Sequence, residues 1–270
     1  MKKYLDIAMD IGEQMLLCGA EVNRVEDSMS RILTAFGSHR VDVFIITTSM
    51  VVTIHDAENK PFTQTRRIMN TSGTDFDKLS KLNALSRKIC LQKEHNLDDI
   101  KTEILSILNS KNYPLYLEFI FYSVIAGVFT LFFGSIDNHP LNLLFVEALL
   151  SMIIGFSVRF VVLFCDKFIK NKIFTKFMSS FVATALAFLI FNLNLVSVVD
   201  YLIIGNIMVL IPGVGLTNSL RDLFVGDSMT GVLRFIEAIL TAIAIALGYV
   251  VFVVISGGIA LWRLKWLFKL

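Results

Sequence analysis

The chain has 270 residues, 55% hydrophobic and 18% charged, with 25 Lys and Arg against 23 Asp and Glu. Fifteen basic and fifteen acidic residues precede Pro114, leaving 10 and 8 for the last 157 residues, too few to cover that part with a water-soluble surface. These numbers divide the chain into two parts of different solvent; with the patterns that follow, residues 1–113 read as an N-terminal cytoplasmic α+β domain and residues 114–270 as a transmembrane helical bundle, the whole being an α-helical integral membrane protein of about five spans.

From Leu5 to Phe36 apolar or small residues recur at helical spacing, with Asp10, Glu13, Glu21, Arg24, Asp27 and Arg31 opposite. This predicts one amphipathic helix, or two broken near Cys18-Gly19, ended by Gly37. Val41–Thr47 and Met50–His55 are β-branched and alternating, and Phe62–Met69 is a candidate third strand beyond a turn at Asp56–Pro61. Helical periodicity returns over Asp75–Gln92 and Leu97–Ser110, with Thr74 and Asn96 as N-caps. Tyr113-Pro114 marks the boundary.

Five apolar stretches follow, near Leu117–Ile136, Asn142–Cys165, Phe177–Leu195, Val198–Ile211 and Gly231–Ile255. The fourth is short and runs into Pro212-Gly213, as a broken or half-length helix would. The connection Asp166–Lys176 carries four lysines, whereas Asp137–Pro140 and Asn192–Ser197 carry no Lys or Arg. The positive-inside rule puts the lysine loop, and with it the N-terminal domain, in the cytoplasm. Met1–Ile11, with Lys2, Lys3, Asp6 and Asp10, does not read as a signal peptide. The tail bearing Trp262, Arg263, Lys265, Trp266 and Lys269 would then lie outside, against the same rule, or form an interfacial segment.

A charge at bilayer depth costs roughly 2.5–3.5 kcal/mol and usually faces the bundle interior or a water-filled path. Glu147 and Glu237 lie about a turn and a half inside their spans and are the best candidates for a solute pathway, with Asn206 beside them in the fourth span. Glu118, Arg159 and Asp200 sit near span ends, where the headgroup layer explains them equally well. Pro212 and Gly213 break the backbone, and Thr217, Asn218, Arg221 and Asp222 follow beside apolar spans, an arrangement by which transporters hold small charged solutes. The plain alternative is a cytoplasmic turn with an Arg221–Asp222 surface pair. In the first domain Glu21 and Arg24 are one turn apart, as a surface ion pair would be. Cys18, Cys90 and Cys165 form no C-x-x-C pair, each reading as a small buried apolar residue, and the four His share no ligand spacing, so neither disulfide, metal nor other cofactor is expected. The sequence carries no phosphate loop or nucleophile elbow and offers no catalytic residue.

Cys18-Gly19-Ala20-Glu21-Val22-Asn23-Arg24-Val25-Glu26-Asp27 resembles the opening helix of the threonine/serine exporter family. Ile211-Pro212-Gly213, Leu216-Thr217-Asn218, Arg221-Asp222, Gly226-Asp227, Gly231 and Glu237-Ala238 resemble that family's second signature, with Gly215 standing where many relatives carry proline. The resemblance spans nearly the whole chain. It implies a multi-pass cell-membrane (inner or plasma membrane) protein with a cytoplasmic N-terminal domain, exporting small amino acids or related carboxylates. It further implies the split form of the family, in which a second five-helix membrane subunit, or self-association, completes the transporter. Carried over by motif, Pro212, Gly213, Asn218, Arg221, Asp222 and Glu237 surround the permeation site, and Glu21, Arg24 and Glu26 mark a functional face of the soluble domain. No nucleic acid partner is expected. The competing readings are a membrane-anchored ligand-sensing or regulatory protein, its bundle serving as anchor, and a membrane-tethered hydrolase acting through the Glu21 region.

Overall fold

The computed structural model describes residues 2–56, 58–68, 75–92, 94, 96–110, 113–137, 139–169 and 171–256. The chain is mostly helical and forms two compact units, one of Met1–Asn112 with Val214–Phe235, the other of Tyr113–Gly213 with Ile236–Leu270.

In the first unit α1 (Lys2–Leu17) and α2 (Val22–Ala35) form a hairpin. The break falls at Gly19, whose φ of 90° lies in the left-handed region that side chains disfavour. Gly37, also at φ 90°, ends α2, its N–H donating to Thr34 O at 2.9 Å. The chain then makes an antiparallel sheet of β1 (Arg40–Ile46), β2 (Ser49–His55) and β3 (Pro61–Arg67), in the order β1-β2-β3. Met50, Val52 and Ile54 alternate inward along β2 onto Met29, Ile32 and Leu33 of α2 and their neighbours, so one sheet face is the core. Gln64 donates to Asp6 and Arg66 to Asp10 and Glu13, which fastens β3 to α1. Helices α3 (Phe76–Leu91) and α4 (Leu97–Leu108) complete this part. Asn96 caps α4 as expected, and Asp75 accepts from the Lys78 N–H at the head of α3; Thr74 lies outside the described residues.

The second unit contains α5 (Leu115–Ile136), α6 (Leu141–Phe168), α7 (Lys172–Asn192), α8 (Val199–Met208) and the greater part of α10 (Ser228–Ile255). Its pattern is inverted relative to a soluble domain. Phe121, Phe132, Phe145, Phe156, Phe160 and Phe164 point outward, while Thr130, Glu147, Ser151, Ser179, Ser180, Thr184 and Asn206 are buried. Apolar outside and polar inside is the arrangement a lipid solvent selects. Of the described helices, α5, α6, α7 and α10 are long and apolar enough to cross a membrane, and a fifth span exists if the bent pair α8 and α9 (Gly213–Val225) is one span. Helix α8 has ten residues, about 15 Å against the roughly 30 Å hydrocarbon core. The tail from residue 257 lies outside the described residues.

The break expected at Pro212-Gly213 is present, between α8 and α9, but the polar segment after it, for which a turn is the plain alternative, is a 13-residue helix, α9. Gly213 has no left-handed φ, and a Cβ there would meet nothing within 4 Å. Four residues of weak helix propensity in its first six, Gly213, Gly215, Thr217 and Asn218, hide it from a propensity reading. The lysine connection is also shorter than read, because α6 runs to Phe168 and α7 starts at Lys172.

Candidate functional site

Within the first unit the two signature stretches meet. Glu21, the N-cap position of α2, accepts from Arg221 of α9 at 2.8 Å across 200 residues of sequence. The expected Glu21–Arg24 pair is therefore not the one formed, and Arg24 is exposed. Nor do Arg221 and Asp222 pair with each other. Asp222, with its side chain 3% exposed, accepts from Arg234 at 2.9 Å, and Arg234 also donates to Ala20 O at 3.1 Å. Successive residues on a helix point about 100° apart, which lets Arg221 and Asp222 reach different partners. Gly226, at φ 107°, turns α9 back so that α10 can deliver Arg234, and Gly231 packs where a Cβ would stand 2.9 Å from Leu223 N.

Glu26 lies one turn beyond Val22 and reaches β1, accepting from the Ile45 N–H at 2.9 Å. The Ile45 carbonyl in turn accepts from the buried Thr230 hydroxyl at 3.5 Å. Burial raises the Glu26 carboxyl above its ordinary value, the Ile45 N–H opposes this, and the nearby Asp227 charge adds to the rise.

Inside the second unit a separate polar cluster joins three helices. Thr130 Oγ1 on α5 lies 2.7 Å from Ser151 Oγ on α6, and also within reach of the carbonyls of Ala126 and Tyr201. Asn206 on α8 donates through Nδ2 to Ser151 Oγ and to Leu202 O, both at 2.9 Å. Its Oδ1 is buried and has no partner among the described residues. The helices come close enough for this because Gly205 faces Ala126 O and Gly155 faces Tyr122 O, where a Cβ would stand 2.8 and 2.7 Å away. Glu147, one turn before Ser151, is also buried and accepts from the backbone N–H groups of Ser197 and Val198 at 3.1 and 3.4 Å. At the opposite end of α6, Arg159 pairs with Glu118 and its guanidinium carbon stands 5.3 Å from the Tyr122 ring centre.

The residues singled out from sequence thus fall into separate groups. Glu21, Glu26, Arg221 and Asp222 gather in the first unit; Glu147 and Asn206 are buried in the second. Pro212 and Gly213 lie at the break between α8 and α9, Thr217 and Asn218 on α9, and Glu237 is exposed on α10. Arg234, Thr130, Ser151 and His139 were not picked out. Ser151 follows Glu147 by four residues on one helical face, a spacing that marks it; nothing local marks Arg234 as the partner of a residue twelve positions earlier. The cysteines are free, Cys18 and Cys165 buried and Cys90 half-buried, and among the described residues no group of three or more His, Cys, Asp or Glu could hold a metal ion.

No curated protein and no solved structure matches the chain. A family model for threonine/serine exporters, ThrE, matches residues 6–256, a stretch that includes both signature segments and every helix described above except the first turn of α1. The helical, apolar-surfaced second unit and the match over nearly the full length agree, and the chain belongs to the threonine/serine exporter family.

Proposed function

We propose that this chain is one subunit of a cell-membrane exporter of small amino acids, threonine or serine, or of related carboxylates. In this reading the first unit is cytoplasmic, a second five-helix membrane subunit completes the transporter, and no covalent chemistry is performed. The observation that carries it is the Thr130–Ser151–Asn206 cluster, an interhelical polar site in an apolar bundle, whose free acceptor Asn206 Oδ1 suits the ammonium group of an amino acid. The family resemblance supports Pro212, Gly213, Asn218 and Glu237 as further pathway residues, with the polar Thr217 beside Asn218 on α9. Glu21, Arg221 and Asp222 act on transport by holding α9 and the start of α10 in the first unit.

Efflux of threonine, serine and succinate from preloaded proteoliposomes, with and without a five-helix partner, tests this. Export is expected with the partner, and Asn206→Leu is expected to abolish it while the protein stays folded. Export unchanged in Asn206→Leu would remove the cluster from the pathway. Absence of export under every pairing would leave the bundle as an anchor and direct attention to ligands of the first unit.

A further inference from the structure

Between α5 and α6 two buried heteroatoms face each other. His139 Nε2 lies 3.4 Å from Glu147 Oε2, the side chains being 12% and 2% exposed. Neither atom has a hydrogen-bond partner among the described residues. The other carboxylate oxygen is committed to the Ser197 and Val198 N–H groups at the head of α8, which fixes the carboxylate's orientation. A buried acceptor oxygen beside a ring nitrogen is costly while both stand unbonded. One proton on Nε2 converts the contact into an N–H···O bond and cancels the carboxylate charge.

The surroundings suit a cation. Tyr201 on α8 stands beside this pair and links it to Asp137 at the end of α5, and the exposed Asp200 precedes it. Tyr201 donates to Asp137 at 2.9 Å and its ring centre lies 5.4 Å from that of His139. Helix α7 brings no titratable side chain from residue 177 to 192, and α10 none from 250 to 255. The formal charges on these neighbours are thus all negative, and the His139 side chain is 12% exposed.

We infer that His139 and Glu147 form a proton-binding site, one proton held between Nε2 and Oε2, and that its occupancy gates export. The proton enters from water at the imidazole, forming an N–H bond; the pair changes from a net charge of −1 to 0, and release reverses the step. The gating clause rests on the exporter reading above, whereas the proton site itself does not.

The test uses the full chain in nanodiscs with ¹⁵N-labelled histidine, followed between about pH 5 and 8. The His139 signal, identified by its loss in His139→Gln, is expected to follow a different titration curve in Glu147→Gln. Should that variant fold poorly, Glu147→Asp, which withdraws the carboxylate by one methylene, is expected to alter the curve as well. An identical curve in wild type and variant overturns the shared proton. Threonine efflux is then measured against pH with the partner subunit present. Loss of its pH dependence in both His139→Gln and Glu147→Gln supports gating, and its retention overturns gating. A chain that titrates as expected but exports nothing overturns the exporter reading, and gating with it, while the proton site stands.

Discussion

Two adjacent residues of α9 make ion pairs of very different worth. Arg221 is 64% exposed beside Glu21, so its removal should cost the fold under about 1 kcal/mol. Asp222 is buried against a mostly buried Arg234, and Asp222→Ala strands that guanidinium, a loss of about 3 kcal/mol. Thermal melts of the two alanine variants should rank in that order, and a larger drop for Arg221→Ala would refute the assignment. Glu26 makes a pH-dependent contribution of definite sign. Its folded carboxyl is raised above 4.5, so the stability it lends is present below that pH and is lost as pH rises through the folded value. Glu26→Gln keeps an acceptor for the Ile45 N–H but cannot ionise. The variant's Tm relative to wild type should therefore increase as pH rises above 4.5, and a difference that shrinks with pH would count against it.

Among the elements, all three strands and four of the spans are legible to within a few residues, because those segments carry strong periodicity and ordinary caps, and the break near Cys18-Gly19, one of two readings of the first helix, is the one formed. Helix α9 escaped because its composition argues for a turn and its buried residues, Ser219 and Asp222, are polar, whereas Leu216, Leu220 and Phe224 are exposed. Burial follows hydrophobicity only where water is the solvent and partners are unspecific. The candidate site was legible as a set of residue types but not as a set of contacts, since Glu21 and Arg221 are joined by folding and not by spacing. Gly127, Gly155 and Gly248 read equally well as sites of contact within or between chains. All three meet atoms of this chain, Met152, Tyr122 and Phe177 among them, so they serve packing inside the second unit. Gly155→Leu should separate α5 from α6 and cost about 1–3 kcal/mol, lowering the melting temperature in detergent. Gly213→Ala should be neutral or stabilising by up to about 1 kcal/mol, despite the prominence of that glycine in the family motif. A severe loss on Gly213→Ala would show that the residue is needed for something other than the helix it begins.

For the whole molecule, the first unit draws on two distant stretches of chain, Met1–Asn112 and Val214–Phe235. A fragment ending at residue 112 lacks Arg221, Arg234 and Thr230, and so lacks the groups that bond Glu21, Ala20 O and Ile45 O. Hydrogen exchange at the start of α2 and the end of β1 should be faster in that fragment than in the full chain. Equal protection would mean that the N-terminal stretch is complete by itself and that the second stretch only rests upon it.

The separation of 200 residues between Glu21 and Arg221 also sets a clock. A ribosome adding about 5–20 residues per second delivers Arg221 some 10–40 s after Glu21. For the second half of that interval the N-terminal stretch is already made, yet Glu21 has no Arg221 to meet, and α5 to α8 emerge first. Closure of the first unit is therefore a late event in biosynthesis, one that happens only after the apolar helices between its two halves have left the ribosome and found their own surroundings.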